Sequence, residues 1–322
     1  EGSRMKDIDL LVEVARMYYD QDLTQQEIAD KIYVSRSRVS RLIKKAKALG
    51  IVEIIIKPSF ENHHNLEKIL RDRFSLKDVL VAYSENSGIQ EEFDSVCSMG
   101  ASYLSSILNE HSVLSVSHGK TVATTVQNLK PHRTLPGMKV VQLAGSLENT
   151  SNPTVDEMYT MQQVAVLYGC EMKRLFLPYL MDDEESRQLL LKRNAAIEIF
   201  RVHQEVDTFI SGVDTLLYWT DHIGEKNVAP LMKNGAVGCM WGYFFDINGA
   251  IIETPLYDRM IIPKRSIFQT AENRICIAND RFKMKAILGA LRGGLCNVLI
   301  TNSKIARHLL TLDSESGLER PT

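Results

Sequence analysis

Residues 24–50, TQQEIADKIYVSRSRVSRLIKKAKALG, constrain this chain more than any other stretch. Thr24 followed by Glu27 is a capping box, which predicts a helix start. Ile28, Ala29 and Ile32 form one apolar edge, and Ala29 is small enough for a second helix to lie close. Tyr33 and Val34 are left to make a turn, and Ser35 is a good N-cap for the second helix. Val39, Leu42, Ile43 and Ala46 then fall at i, i+3, i+4 and i+7, a buried helical stripe. Gly50 stands where such a helix ends. Arg36, Ser37, Ser40, Arg41, Lys44 and Lys45 are left outward, and no Asp or Glu occurs between Lys31 and Ile51.

Two short helices, a tight turn and a basic, Ser-rich second helix are the layout of a helix-turn-helix DNA reader. Such a helix enters the major groove with its first residues at base edges, while the preceding helix crosses the backbone. Arg bonds guanine in bidentate fashion, and Ser bonds bases or phosphates. Lys44 and Lys45, further along, suit phosphate contacts that add affinity without sequence information. The expected DNA-facing set is Thr24, Gln25, Ser35, Arg36, Ser37, Arg38, Ser40, Arg41, Lys44 and Lys45. A charge run alone would read as a solvated basic face. Cap, turn, stripe and one-sided Arg/Ser face together favour the reader.

Residues 7–20 add a third helix, with Ile8, Leu11, Val12, Ala15, Met17 and Tyr18 on its apolar face. Residues 51–57, IVEIIIK, are β-rich: a wing strand or the start of a linker, stopped by Pro58. Residues 62–74 read as another helix with Leu66, Ile69, Leu70 and Phe74 on one side. It is expected to link a DNA-binding head to a larger body, or to form a dimer contact.

Beyond residue 75, β-type runs alternate with helix-period runs, which argues for a parallel sheet with helices on both faces. One long helix is expected over 184–204. Ligands bind outside the carboxyl ends of such strands. Small and polar residues gather there: Ser117, His118, Gly119, Lys120 and Thr121 after one strand, Ala144, Gly145 and Ser146 after another, and Gly212, Val213 and Asp214 after a third. The first group lies between a strand and a helix, where backbone N–H groups can face an anion. It lacks Walker spacing, and an ordinary strand-to-helix turn reads the same way. The stretch 235–252, GAVGCMWGYFFDINGAII, suggests a hairpin. Its Trp241, Tyr243, Phe244 and Phe245 either fill core or line a pocket.

The chain has 322 residues, enough for a small head and a large α/β body, and a net charge of −2. Positive charge concentrated in one helix fits a specific reader rather than a general polyanion binder. Five scattered cysteines without Cys-x-x-Cys indicate a reducing compartment. The opening EGSRMKDIDL lacks the apolar core of a signal peptide, and no apolar run would span a bilayer, so a cytoplasmic location is expected.

The order of SRSRVSRLIKKAKALGIVEI, HGKT, QLAGS, SGVD, GCMWGYFFDINGAI and KMKAILGALRGGLCNVLITNSKIARHLL resembles the SorC family of sugar-binding transcriptional regulators, sometimes grouped with deoxyribonucleoside regulators. The resemblance runs from about Ile8 to Leu312. It implies a homotetramer, a winged-helix-like N-terminal domain for operator DNA, and a Rossmann-like effector domain related to glucosamine-6-phosphate deaminase and ribose-phosphate isomerase. Members sense sugars or phosphosugars and control the operons that consume them. The implied effector-site residues are Ser117, His118, Gly119, Lys120, Thr121, Ala144, Gly145, Ser146, Gly212, Val213, Asp214, Trp241, Tyr243, Asp246 and Lys283. Lys120 and Lys283 are the candidates for holding an anion, and Asp214 for ligand hydroxyls.

Departures bear on the ligand. The family's Trp-Gly-x-Thr is His118-Gly119-Lys120-Thr121 here, and its Gly-Gly is Gly145-Ser146. Cys239 and Tyr243 stand where Asp and Arg are usual, and the late Gly-Gly-x-x-Lys survives only as Asn279-Asp280-Arg281-Phe282-Lys283. These departures point to a pocket in the family position with a less polar ligand. The expected domains are 5–57 for DNA, 58–75 as a linker helix, 76–312 for effector and oligomerisation, and 313–322 as a disordered tail. The rival class is a sugar-phosphate isomerase or deaminase with a DNA-binding head, with Asp214, Asp246, His118 and His222 as acid/base candidates. No paired-carboxylate motif or nucleophile elbow joins them. No cofactor is expected. A metal sensor is disfavoured, because His63-His64 and the lone cysteines lack ligand spacing.

Overall fold

The computed structural model describes residues 2–19, 21, 23–49, 51–52, 61–83, 88–147 and 156–316. The chain divides into two compact units, Glu1–Pro58 and Ser59–Thr322.

The first unit holds α1 (Gly2–Tyr19), α2 (Gln25–Lys31) and α3 (Arg36–Ala48). Val14, Ile28, Ala29, Val39 and Ile43 form its core, with Leu11, Ala15 and Ala46 packed as a second cluster. Val14 is wholly buried and Val12 only partly, so the inward face of α1 is turned from the one its sequence suggests. Ile51 and Val52 pack on the Leu11 cluster. Gly50 and residues 53–58, including most of the expected wing strand and Pro58, lie outside the described residues.

The second unit runs α4 (Glu61–Phe74), β1 (Asp78–Ala82), α5 (Ile89–Ile107), β2 (Val113–Val116), α6 (Lys120–Gln127), β3 (Lys139–Gln142), α7 (Glu157–Tyr168), β4 (Glu171–Lys173), α8 (Glu184–Leu191), α9 (Asn194–Val202), β5 (Thr208–Ser211), α10 (Leu216–Ile223), α11 (Glu225–Lys233), β6 (Gly238–Met240), β7 (Tyr243–Phe245), α12 (Ser266–Thr270), β8 (Asn273–Ala278), α13 (Met284–Arg292), β9 (Val298–Asn302) and α14 (Ser303–Ser316). Seven strands form one parallel sheet in the order β1-β9-β8-β5-β2-β3-β4. The inner strands β2, β5 and β9 are buried along their whole length, as VLSV, TFIS and VLITN suggest. Residues from α5, α6 and α7 join one core cluster, while α9, α10, α11, α13 and α14 contribute to the other. From β2 the chain steps outward through β3 to β4, then returns to place β5 on the other side of β2. The strand order therefore reverses between β2 and β5, and a crevice opens beyond their carboxyl ends.

Three expectations need correction. The helix over 184–204 is broken: Arg193 is extended, and only α9 buries apolar residues, Ala196, Ile199 and Val202. The break lets α9 aim that face inward while α8 packs on the core only through the partly buried Leu190 and Leu191. The expected linker helix is part of the second unit, because α4 packs on β1 and α14 with Leu70 wholly buried; Ile69 stays exposed. The tail does not begin at 313. α14 continues to Ser316, and the buried Asp313 carboxylate pairs with Arg73 at 2.5 Å and Arg292 at 2.6 Å. Burial pushes that carboxyl up, and the two guanidinium groups outweigh it and hold it below the ordinary value.

Candidate functional site

In the first unit the Thr24 capping box closes in both directions: Glu27 N donates to Thr24 Oγ1, and Thr24 N donates to Glu27 Oε2 at 2.8 Å. Tyr33 takes φ +54 to make the turn, and its side chain is 94% exposed. The Ser35 hydroxyl accepts from Arg38 N and so starts α3. Val39, Ile43 and Ala46 are buried, which leaves Arg36, Ser37, Arg38, Arg41, Lys44 and Lys45 exposed and Ser40 half-buried. Thr24 and Ser35 are exposed and Gln25 half-buried at the two helix starts. Arg41 rests on the Ser37 carbonyl at 3.4 Å, a weak bond that a base can replace.

In the second unit the strand ends converge. Ser117 and His118 follow β2, Ala144 and Gly145 lie just beyond β3, and Ser211 and Asp214 mark the end of β5. Asp214 is anchored by two backbone bonds to Cys239 on β6, at 3.0 and 2.8 Å. His118 Nε2 lies 3.3 Å from Asp214 Oδ2, and Lys283 Nζ lies 3.3 Å from Oδ1. Burial pushes the Asp214 carboxyl up, but His118 and Lys283 outweigh it and hold it below the ordinary carboxylate value. Gly145 is required: a Cβ there would lie 2.2 Å from the Pro178 carbonyl oxygen.

Ser117, His118, Ala144, Gly145, Ser211, Asp214 and Cys239 line one cavity, together with Glu157, Tyr179, Trp219, Trp241 and Gly242. His118 stacks on Tyr218 at 5.5 Å, and Tyr179 stacks on Trp219 at 5.1 Å. Glu157 accepts from Leu143 N at 2.6 Å and is otherwise enclosed, so burial pushes its carboxyl up to about 8. Among the described residues, His118 Nε2, Tyr179 Oη and Trp219 Nε1 are buried without a hydrogen-bond partner. The His118 contact to Asp214 is close enough for charge attraction but poorly aligned for a bond. The free volume is about 20 Å³, room for roughly one water.

Of the residues expected at this site, Ser117, His118, Ala144, Gly145, Asp214 and Trp241 line the cavity, and Lys283 reaches it through Asp214. The others do different things. The Lys120 ammonium lies over the Phe93 ring, 4.7 Å from its centre, and is exposed. Gly119 caps α6, and the Thr121 carbonyl accepts from Thr125. Ser146 accepts from Gln142, and Val213 is core beside Gly212. Asp246 is a turn former, its Oδ1 accepting from Asn248 N and Ala250 N. The Tyr243 hydroxyl donates to the Pro263 carbonyl in a second, larger cavity. Phe244 and Phe245 are wholly buried core. The sequence did not single out Glu157, Tyr179, Trp219 or Ser211. Only Ser211, a hydroxyl at a strand end, carried a local signal.

A helix-turn-helix unit and a doubly wound α/β unit with a polar crevice at its switch point define a ligand-responsive DNA-binding protein. The comparisons agree. Residues 58–311 match the family model described as "Putative sugar-binding domain", and residues 13–48 match "Sigma-70, region 4". The deoxyribonucleoside regulator of Bacillus subtilis (strain 168) is 30% identical over 306 residues, covering 94% of this chain and 97% of its own. The sorbitol operon regulator of Klebsiella pneumoniae is 26% identical over 94% of this chain and 98% of its own. The crystal structure of that full-length regulator superposes with a TM-score of 0.86 over 94% of this chain and 99% of that chain. The chain belongs to the SorC-type family of sugar-binding transcriptional regulators. It is a regulator rather than a sugar-phosphate isomerase or deaminase, since the relatives it matches along nearly their whole length are regulators. No helix among the described residues is long and apolar enough to cross a membrane.

Proposed function

We propose that a hydroxylated small molecule, a sugar, phosphosugar or related metabolite, binds the crevice between β2 and β5 and controls operator binding by α3. The observation that carries this reading is the set of buried polar atoms around an ionised Asp214: Tyr179 Oη and Trp219 Nε1 without a hydrogen-bond partner, and His118 Nε2 with only its 3.3 Å contact to Asp214. Buried polar atoms are paired in the great majority of cases, so four polar groups aimed into one cavity are matched to a ligand's hydroxyls. Asp214 accepts from ligand hydroxyls, and Lys283 takes any anionic substituent at the mouth. Lys120, held over Phe93, is the weaker candidate for that role.

A cavity of about 20 Å³ cannot hold a sugar. The binding form must therefore move part of the aromatic lining, and the difference between the two forms is what a ligand can act on. The DNA-facing set is Arg36, Ser37, Arg38, Ser40, Arg41, Lys44 and Lys45 on α3, with Thr24, Gln25 and Ser35 at the helix starts. A homotetramer in the cytoplasm would present paired heads to half-sites spaced by whole DNA turns, about 10 bp each. The test is a thermal-shift screen of sugars and sugar phosphates followed by operator titration with each hit. A hit at a hundred times its Kd adds about 2.7 kcal/mol. The Asp214→Asn protein should lose the shift and the operator response together. Hits that stabilise Asp214→Asn as well as wild type would place the ligand elsewhere.

A further inference from the structure

The second cavity shares Met240 and Trp241 with the first. It has a free volume of about 370 Å³, within the range of small-molecule sites. Trp241 and Phe268 stack at 5.4 Å along its wall, and the indole N–H donates to the Leu295 carbonyl at 3.1 Å. Its lining includes Arg265 and Arg274 and no acidic residue. The cavity at the strand ends is the reverse, with Asp214 and Glu157 in its lining and no arginine or lysine.

Arg274 is the informative group. It is half-buried at the start of β8, and its Nη1 donates to the carbonyls of Phe268 and Ala271. Burial lowers its pKa, and the one group that opposes this is Cys296 rather than a carboxylate. Glu272, two residues away, is taken by Lys77 at 2.9 Å. Arg265 is exposed at the rim. Among the described residues no carboxylate pairs with either guanidinium. A half-buried charge such as Arg274 is normally compensated, and both guanidinium side chains line an open, roomy cavity with a flat aromatic wall.

We propose that this cavity is a second ligand site, separate from the crevice between β2 and β5, and that it takes a small organic anion. The carboxylate or phosphate-ester end lies against Arg274 and Arg265, where a planar guanidinium can hold it in bidentate fashion. The apolar part packs along Trp241 and Phe268. Trp241 walls both cavities, so an occupant here touches a residue that the effector crevice also uses.

The test titrates the full chain with benzoate, phenyl phosphate, inorganic phosphate and the neutral benzyl alcohol, by calorimetry and by tryptophan fluorescence. The chain has two tryptophans, and Trp241 is one of them. Saturable binding of benzoate or phenyl phosphate is expected, whichever of the two fits showing whether a carboxylate or a phosphate ester is preferred. It should weaken at least about tenfold in Arg274→Gln and in Arg265→Gln. It should persist in Asp214→Asn, which disables the other cavity. If Arg274→Gln fails to fold because the Phe268 and Ala271 carbonyls lose their donor, the exposed Arg265 decides. The proposal is overturned if neither organic anion saturates, if inorganic phosphate alone binds, if benzyl alcohol binds as well as benzoate, or if Arg265→Gln binds like wild type.

Discussion

Glu157 should make the second unit less stable as pH rises, and Glu157→Gln should remove that loss. Its carboxyl is 8% exposed, accepts from Leu143 N, and is pushed from 4.5 up to about 8 by burial, with Asp156 adding to the shift. In the unfolded chain the group ionises near its ordinary value. Between pH 4.5 and 8 the folded state therefore holds a proton that the unfolded state has lost. Stability contributed by this group is fully present below the unfolded pKa and falls as pH rises toward the folded one. At 1.36 kcal/mol per unit the loss is about 3 kcal/mol at pH 7 and about 5 kcal/mol by pH 8. Glutamine keeps an oxygen for the Leu143 N–H and carries no charge to bury. Urea unfolding of wild type and Glu157→Gln at a series of pH values, followed by tryptophan fluorescence, measures the difference. Trp219 and Trp241 are the only tryptophans and both sit in the second unit, so the signal reports that unit. The variant should match wild type near pH 4.5 and exceed it by about 3 kcal/mol at pH 7. An equal difference at pH 5 and pH 8 would refute the linkage and leave only a packing effect.

Arg36→Ala and Arg41→Ala should each cost about 1–3 kcal/mol at the operator if the residue reads a base, as measured by anisotropy titration. Lys44→Ala and Lys45→Ala should instead weaken all sequences alike and lower the salt slope by about 0.9 each; equal salt slopes in wild type and mutants would remove the lysines from the phosphate contacts. Asp313→Ala removes the buried carboxylate that Arg73 and Arg292 share and should cost about 3–5 kcal/mol in urea unfolding; a loss below about 0.5 kcal/mol would mean that the end of α14 does no structural work. Lys283→Ala should weaken a phosphorylated effector more than its neutral counterpart while Lys120→Ala leaves both unchanged, since Lys283 stands at Asp214 and Lys120 at Phe93; the reverse pattern in calorimetry would exchange their roles.

What was legible in the sequence was what local periodicity and chain punctuation encode. The stripe Val39, Ile43 and Ala46 fixes the outward face of α3 without reference to the rest of the chain. Strand ends marked by Gly145 and Asp214 were legible too, because close backbone approach selects glycine and a crevice selects small or polar residues. A lysine after a strand, such as Lys120, has the look of an anion site, and only the assembled fold shows that its ammonium lies over the distant Phe93 on α5. Tyr179, Trp219 and Glu157 carry no local mark: a buried aromatic that lines a cavity and one that fills core read alike until the sheet is assembled. The assembled site shows a different kind of mark. Trp241 sits at φ +58 in the turn between β6 and β7, where glycine, asparagine or aspartate is usual, followed by Gly242 at +87. Beside it are an enclosed carboxyl and two polar atoms without partners, Tyr179 Oη and Trp219 Nε1. Each of these departs from the local consistency that makes a chain fold well, and each costs of order 1–3 kcal/mol. Scattered through the unit they would be unconnected costs. Gathered in one crevice at the switch point of the sheet, they are what a ligand can relieve, and a ligand that relieves strain in one arrangement more than another has the differential affinity a regulator needs.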